Sequence, residues 1–267
     1  MSCEAPNKKR KREGVEKKVK AKVQRSERDL AKEFEENLKL AEEKGDPTAQ
    51  LMVSFSLHYG RGVSRDENQA KVWLEKSAAS GNLIASARSC YMNKDYSTSL
   101  NIFTRYVQEA SERKREEEMI AYMMLGLIYH YDKGVPRDYK KALRYYEMAD
   151  ELGNEIANYY IALYYQLVKK DFQKAKRHYL KAANQKSLFN LGIMFQTGKG
   201  VPKDFKRALK YYSMAGNDGD SLNNLATMYK HGEGVEKSLG MAFKLYQKSG
   251  IKKKFLCFLA NVEKLSK

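Results

Sequence analysis

The strongest constraint on this chain is a repeated pattern of one capping residue and one small residue. An Asp or a Ser recurs at spacings of 29, 43, 33, 33 and 34 residues, and a small residue follows four positions after each one. Such a period predicts a stack of similar helical units, because a single unit has too little apolar surface to fold alone. The capping residues are Asp66, Asp95, Asp138, Asp171, Asp204 and Ser238, and the small residues are Ala70, Ser99, Ala142, Ala175, Ala208 and Ala242.

Each unit has the sequence features of two antiparallel helices. Asp and Ser are favoured N-cap residues, so each capping residue marks the start of a second helix. Apolar residues from Ala142 to Ala149 recur at helical spacing, and Gly153 marks the end of that helix. A first helix and a glycine-containing turn precede the capping residue in four units, with turns at 60–63, 132–135, 198–201 and 232–235.

Two glycines in the middle of first helices predict close contact between helices. Gly126 and Gly192 each lie nine residues before the valine of a turn. Glycine destabilises a helix interior by about 0.5 to 1 kcal/mol relative to alanine, so its placement there favours close packing. The units around Asp95 and Asp171 lack the glycine turn, and we expect shorter loops in them. The charged run 111–118 is expected to be a longer helix or a solvated bulge with an exposed face.

The combined pattern A-x-x-x-L-G-x-x-Y-x-x-G-x-G-V-x-x-D-x-x-x-A-x-x-Y-Y-x-x-A resembles the Sel-one-like repeat, a relative of the tetratricopeptide repeat. The resemblance implies an all-α fold, a right-handed α-solenoid of about six helix-turn-helix repeats, and protein binding rather than catalysis. Both ends have the pattern of half-repeats that shield the stack. The predicted organisation is a disordered basic tail at 1–28, a capping helix at 29–45, the repeat array at 46–250 and a second capping helix at 251–267.

The resemblance also suggests where a partner binds. In tetratricopeptide relatives the first helices line a concave groove, and asparagine side chains bind the backbone of an extended peptide. Equivalent positions in earlier units carry Met52 and Met124, which predicts a softer and more adaptable groove there. The alternative is that the asparagines brace neighbouring turns. The predicted groove residues are Asn190 and Asn224, with Gln196 and Lys230 farther along the same helices.

The chain has a formal net charge of +17, part of which lies in its first 28 residues. That segment has eleven Lys or Arg, four Glu and almost no large apolar residue, so it is expected to be disordered. A basic run within it resembles a nuclear localisation signal, which favours the nucleus or cytoplasm and an import receptor as one partner. The alternative is a solubilising or nucleic-acid-binding arm. The run consists of Lys8, Lys9, Arg10, Lys11 and Arg12.

Other cations recur on one face of the second helices. Stacked repeats would align them into a cationic ribbon able to hold an acidic protein segment or nucleic-acid phosphates. The simpler interpretation is a solvated outer face, because the tyrosines lie at core positions rather than exposed for base stacking. The ribbon consists of Lys141, Lys174 and Arg207, three positions after a cap, and Arg144, Arg177, Lys210 and Lys244, six positions after one.

No sequence motif predicts a catalytic, metal or cofactor site. H-E-x-x-H, G-x-S-x-G and a phosphate-binding glycine loop are absent, and the four His and three Cys lack metal-ligand spacing. No stretch is apolar enough to span a membrane or to form a cleavable secretion signal. We therefore predict a non-enzymatic scaffold or adaptor that binds a protein or peptide, with no cofactor or small-molecule ligand. The alternative is a basic nucleic-acid-associated protein.

Overall fold

The computed structural model describes residues 27–109, 114–216 and 218–250, and every regular element in these ranges is helical. The segment from 27 to 43 is α1. The later helices are α2 (Pro47–Tyr59), α3 (Glu67–Ala79), α4 (Leu83–Met92), α5 (Tyr96–Glu109), α6 (Arg115–His130), α7 (Tyr139–Glu151), α8 (Glu155–Leu163, continued by a π-helical turn Tyr164–Val168), α9 (Phe172–Ala182), α10 (Gln185–Thr197), α11 (Phe205–Met214), α12 (Gly219–His231) and α13 (Leu239–Lys248).

The helices after α1 follow one another as six helix-turn-helix pairs, which confirms the all-α fold and the repeat number. The even-numbered helices are the first helices of these pairs, and the odd-numbered ones from α3 onward are the second helices. The chain divides into two compact parts, residues 1–161 and 162–267, which we call the N-terminal and C-terminal bodies.

Every second helix begins at its predicted N-cap. The side chains of all six capping residues accept a hydrogen bond from the backbone N–H three positions later, at 2.9 to 3.2 Å. Each such cap contributes about 1 kcal/mol to helix stability. The six small residues four positions after the caps are at most 4% exposed, so they form the repeated helix contact that the pattern predicts.

In each glycine turn, the glycine directly before the valine is required for two reasons. Gly134 has φ 75°, in the left-handed region, and a Cβ atom there would lie 2.8 Å from the Cβ of Tyr96, the first residue of α5. Any larger residue would therefore be strained and would collide with the preceding second helix. The equivalent pairs are Gly62 with Leu30, Gly200 with Phe172, and Gly234 with Phe205.

The two pairs without a glycine turn have shorter loops, as expected. Residues 93–95 connect α4 to α5, and residues 169–171 connect the π-helical turn to α9. Lys94 and Lys170 adopt the left-handed conformation, with φ 66° and 56°, at the position that glycine would otherwise favour. The π-helical turn itself was not predicted, because its extra residue per turn has no distinct sequence signature.

The two predicted helix glycines lie against tyrosine rings, which confirms the inference of close packing. A Cβ atom on Gly126 would lie 3.1 Å from Cζ of Tyr146, and one on Gly192 would lie 2.9 Å from Cζ of Tyr212. Tyr146 and Tyr212 are on the second helices of the same pairs, and they are 1% and 0% exposed. The absence of a side chain on each glycine therefore makes room for a buried ring.

The expectation of a plain exposed face for the charged run 111–118 is wrong at Glu117. Its two carboxylate oxygens accept hydrogen bonds from Thr48 Oγ1 at 2.6 Å, Asn82 Nδ2 at 2.9 Å and the Tyr106 hydroxyl at 2.8 Å. Because α6 has 16 residues against 13 in α2, its first turn reaches side chains of three other helical segments. Glu117 thus stabilises the packing of the N-terminal body.

The predicted terminal segments are described only in part. The basic run Lys8–Arg12 and the second capping helix at 251–267 lie outside the described residues. Helix α1 is already formed at residue 27, two positions inside the predicted tail. Among the helices that the structure describes, none combines the length and the apolar character needed to cross a membrane.

Candidate partner-binding surface

The first helices of the N-terminal body pack more closely than the sequence indicated. Helix α6 contacts both α2 and α4, in addition to its own second helix. As a result Met52 and Met124 are only 2% and 3% exposed. The prediction that these methionines make an open groove more adaptable is therefore wrong, because both side chains are buried.

Five tyrosines converge on the carboxyl-terminal side of these first helices. Tyr146, on the second helix α7, is buried, whereas Tyr131 is 45% exposed and the other three are half-buried. The group therefore extends from the core to solvent. We call it the tyrosine cluster; its members are Tyr59, Tyr91, Tyr131, Tyr146 and Tyr160.

The phenols of the tyrosine cluster interact with one another. The rings of Tyr146 and Tyr160 stack with centroids 5.0 Å apart, and Tyr160 shares a hydrogen bond with Tyr131. Burial, followed by the nearby phenols, raises the pKa of Tyr146 well above its usual value, and the same causes raise the pKa of Tyr91 to about 12. The hydroxyls of Tyr146 and Tyr91 therefore stay protonated at neutral pH and can donate hydrogen bonds.

Arg88 of α4 lies beside the cluster in a buried position. It is 3% exposed, and its guanidinium carbon lies 5.4 Å from the ring centre of Phe55 and 5.9 Å from that of Tyr59. Burial lowers its pKa. Cation–π contacts of this kind are worth about 0.5 to 2 kcal/mol, whereas burial of an ion costs several kcal/mol. The rings therefore offset only part of the cost.

Two buried polar atoms, one on Arg88 and one in the tyrosine cluster, have no hydrogen-bond partner among the described residues. They are Nη1 of Arg88 and the hydroxyl of Tyr146. Glu67 interacts electrostatically with Arg88, but its contacts are with Arg65 and with His58, whose Nδ1 lies 3.4 Å away. A buried donor without a partner destabilises a protein, so this arrangement requires an explanation.

Two histidines at equivalent positions flank the cluster. His58 precedes Tyr59 and His130 precedes Tyr131, and burial is the main cause that lowers the pKa of both imidazoles. The His130 ring meets Tyr160 edge-on at 5.9 Å. Within the described ranges no three His, Cys, Asp or Glu side chains are grouped so that they could hold a metal ion.

In the C-terminal body, two of the predicted groove residues meet at one tyrosine. The hydroxyl of Tyr212 donates to Oε1 of Gln196 at 2.8 Å, and the side chain of Asn224 also hydrogen-bonds to Tyr212. Gln196 in turn donates to Glu233 at 3.2 Å. We call these four residues the polar network. It joins α10, α11 and α12, so Gln196 and Asn224 already have partners within the chain.

The other two predicted groove residues lie apart from the polar network. The side-chain amide of Asn190 donates to the backbone oxygen of Lys186 in the preceding turn at 2.8 Å. This bond matches the alternative in which the asparagine braces a neighbouring turn. Lys230 is half-buried in the last turn of α12, where its charge complements the helix dipole.

The ribbon cations three positions after the caps lie against aromatic rings. Lys141 is 4.2 Å from the ring centre of Tyr129 and donates to its hydroxyl at 2.7 Å, an interaction that raises the pKa of Lys141. Lys174 lies 5.0 Å from the ring of Tyr165, and Arg207 lies 4.4 Å from that of Phe195. These contacts hold three of the seven cations on the surface of their own repeats.

The cations six positions after the caps are more accessible. Arg144 lies in the N-terminal body, and Arg177, Lys210 and Lys244 lie in the C-terminal body. Arg144, Arg177 and Lys244 are exposed, and Lys210 is half-buried. Their positions agree with a solvated outer face.

The tyrosine cluster and Arg88 were missed in the sequence because tyrosine was assigned to the core as a class. One signal was present: Leu57-His58-Tyr59 and Tyr129-His130-Tyr131 place the same His-Tyr pair at equivalent positions. No local sequence pattern predicts that Arg88 is buried. That depends on contacts among helices from different pairs.

Comparison with known proteins identifies the repeats. The Sel1 repeat model matches residues 47–82, 120–154, 156–187, 185–220 and 219–251, which together make up more than half of the chain. The pair α4/α5 falls in the interval between the first two matches. It is one of the two pairs that lack a glycine turn, and the 43-residue spacing follows its capping residue Asp95.

Two curated relatives are similar over most of this chain. One is the ERAD-associated E3 ubiquitin-protein ligase component HRD3B of Arabidopsis thaliana, 25% identical over 216 residues. The other is the chitin synthase regulator SKT5 of Saccharomyces cerevisiae, 26% identical over 201 residues. The matches cover 61% and 68% of this chain but only 35% and 29% of the relatives.

Two solved structures show the same fold. The protective antigen c5321 from uropathogenic Escherichia coli, described as having an SLR fold, aligns with a TM-score of 0.59 at 24% identity, covering 88% of this chain and 52% of its own. A Sel1 repeat protein from Oxalobacter formigenes aligns with a TM-score of 0.57 at 22% identity, covering 81% of this chain and 98% of its own. The repeat match and the helix-pair architecture agree, and the chain belongs to the Sel1 repeat family.

Proposed function

We propose that this chain is a non-enzymatic scaffold or adaptor that binds a protein or peptide partner on surfaces formed by its first helices. Sel1-repeat proteins generally act as protein-interaction scaffolds, and the two curated relatives are named as a ligase component and a regulator. The observation that carries the proposal is the tyrosine cluster. It combines phenol hydroxyls with aromatic surface, and it extends from Tyr59, beside buried Arg88, to the exposed ring of Tyr131.

A second surface is proposed in the C-terminal body, around Asn190, Asn224, Gln196 and Lys230. Gln196 and Asn224 are oriented by Tyr212, and each amide has more than one hydrogen-bonding atom. Side chains held in one orientation lose less entropy when a peptide backbone binds. This preorganisation supports a peptide-binding role for the polar network.

The experiment that tests this function is affinity purification from the native cell with quantitative mass spectrometry. The intact chain is compared with Asn190→Ala/Asn224→Ala and with Arg88→Met, and the matched control is Arg177→Ala/Lys244→Ala on exposed second-helix positions. We expect partners to be lost from a first-helix variant and retained by the control. Loss from the control alone would assign binding to the cationic ribbon, and identical partner sets in all variants would reject both surfaces.

The nucleic-acid alternative draws on the net charge of +17 and on the exposed Arg144, Arg177 and Lys244. Contacts of Lys141, Lys174 and Arg207 with aromatic rings favour a structural role for those three cations. Titration of generic RNA and DNA at increasing salt, with and without residues 1–26, separates the two functions. Binding that disappears with salt and with the tail, together with no specific protein partner, would favour the alternative.

A further inference from the structure

Arg88 has the features expected of a binding site for an anionic group. Its side chain is 97% buried, and Nη1 has no hydrogen-bond partner in the described part of the chain. Glu67, the carboxylate that acts on it, forms its contacts with Arg65 and His58 instead. The guanidinium group is therefore stabilised by the rings of Phe55 and Tyr59 without a carboxylate of its own.

Tyr59, whose ring lies 5.9 Å from the Arg88 guanidinium, belongs to the tyrosine cluster, which extends to the surface. The hydroxyl of Tyr146 is buried without a partner in the same described ranges, and its ring stacks on Tyr160. Tyr160 bonds to Tyr131, which is 45% exposed and is the outermost ring of the tyrosine cluster. The cluster thus runs from a buried hydroxyl to an exposed ring.

We propose that Arg88 and the tyrosine cluster bind a carboxylate group of the protein partner, with the guanidinium and the phenol hydroxyls as donors. A guanidinium presents paired N–H groups that match the two oxygens of a carboxylate. Such a ligand satisfies Nη1, which has no partner among the described residues, and adds to the partial compensation of the buried charge by Glu67. The carboxylate belongs either to an Asp or Glu side chain or to the carboxyl terminus of the partner. This inference rests on the proposed function and specifies the chemistry of one of its surfaces.

The test uses a library of random twelve-residue peptides displayed on phage and selected on the full 267-residue chain. Selected peptides are synthesised with a fluorescein label, and their Kd is measured by fluorescence anisotropy. Each peptide is made in three forms: unchanged, with every Asp and Glu replaced by the amide, and with an amidated carboxyl terminus. We expect selected peptides to carry acidic groups, and one of the altered forms to bind between about 10-fold and 100-fold more weakly, as for the loss of a hydrogen-bonded charge. The form that weakens identifies the source of the carboxylate.

The protein side of the test compares two variants that each remove one positive charge. Arg88→Met removes the buried guanidinium, and Arg105→Met removes an exposed one on α5 that pairs with Glu109. We expect the first to weaken binding at least tenfold and the second to leave it within about twofold. Circular dichroism checks folding, and if Arg88→Met does not fold, the peptide substitutions alone decide the outcome.

The possible failures are distinguishable. If peptides bind the first helices but neither their carboxylates nor Arg88 matters, the carboxylate site is wrong and the proposed function stands. Equal weakening by Arg88→Met and Arg105→Met would also overturn the site, because it would show a general effect of charge. If the library yields no peptide that binds and affinity purification recovers no partner, the proposed function fails as well.

Discussion

The contact between Gly192 and Tyr212 gives the sharpest test of the repeat packing. An alanine Cβ at position 192 would lie 2.5 Å from Cδ1 and 2.9 Å from Cζ of Tyr212, and the ring is 0% exposed. Its hydroxyl is held by Gln196 at 2.8 Å, so the ring cannot move away without loss of that hydrogen bond. Gly240, in the second helix α13, provides the matched control, because no atom lies within 4 Å of an added Cβ.

The two substitutions are expected to have opposite signs. Gly→Ala in a helix interior gains about 1 kcal/mol from backbone propensity, and Gly240→Ala should stabilise by up to that amount. At Gly192 the same gain is opposed by an overpacking cost of about 1 to 3 kcal/mol and by the weakened hydrogen bond of Tyr212. We expect Gly192→Ala to destabilise by about 1 kcal/mol, so the variants should differ by about 2 kcal/mol.

In the last repeat, the position equivalent to Gly192 is occupied by an alanine. Ala226 is equivalent to Gly192, and it packs with Tyr246 in one apolar cluster. The hydroxyl of Tyr246 lies 2.9 Å from Thr227, the next residue, whereas that of Tyr212 reaches Gln196, four residues after Gly192. Where the first helix has an alanine in place of the glycine, the tyrosine hydroxyl therefore reaches a different residue of that helix.

The measurement is urea unfolding followed by circular dichroism, with hydrogen exchange of α10 and α11 as a local readout. Repeat proteins can unfold in parts, so the local readout is needed beside the global one. Equal stabilisation by Gly192→Ala and Gly240→Ala would refute the steric argument. Rescue of Gly192→Ala by Tyr212→Leu would support it.

Three further predictions concern capping, pH and localisation. Asp204→Ala, which removes an N-cap bond to Arg207, should destabilise by about 1 kcal/mol in urea unfolding, whereas Asp220→Ala within the first turn of α12 should have a smaller effect. Burial lowers the pKa of His58 and His130 below the usual value of 6.5, so the unfolded chain binds more protons than the folded chain as the pH falls below that value. The Tm should therefore fall as the pH drops through this region. The double variant His58→Gln/His130→Gln should show a weaker dependence of Tm on pH. A fluorescent fusion in which Lys8–Arg12 are changed to alanine should lose nuclear accumulation, while changes of Lys17 and Lys18 to alanine should not; equal distributions for both would reject the import signal.

The repeat architecture follows from short-range interactions, which the residue pattern alone is enough to predict. The caps at Asp138 and Asp204 satisfy backbone N–H groups within three residues, so each second helix starts where a short-range rule places it. Gly192 and Ala208 keep a fixed spacing within one pair, and both predicted contacts are present. A period that repeats these local features defines the helix pairs directly.

The candidate sites depend on contacts between pairs, which the period does not encode. Met124 lies in α6, which contacts α2 and α4, and its burial depends on tertiary packing. The same packing draws Glu117 into a hydrogen-bonded position and leaves Arg88 buried without a carboxylate. The relative placement of successive pairs arises from the summed packing of many side chains, so a residue with the same repeat position can be exposed in one pair and buried in another.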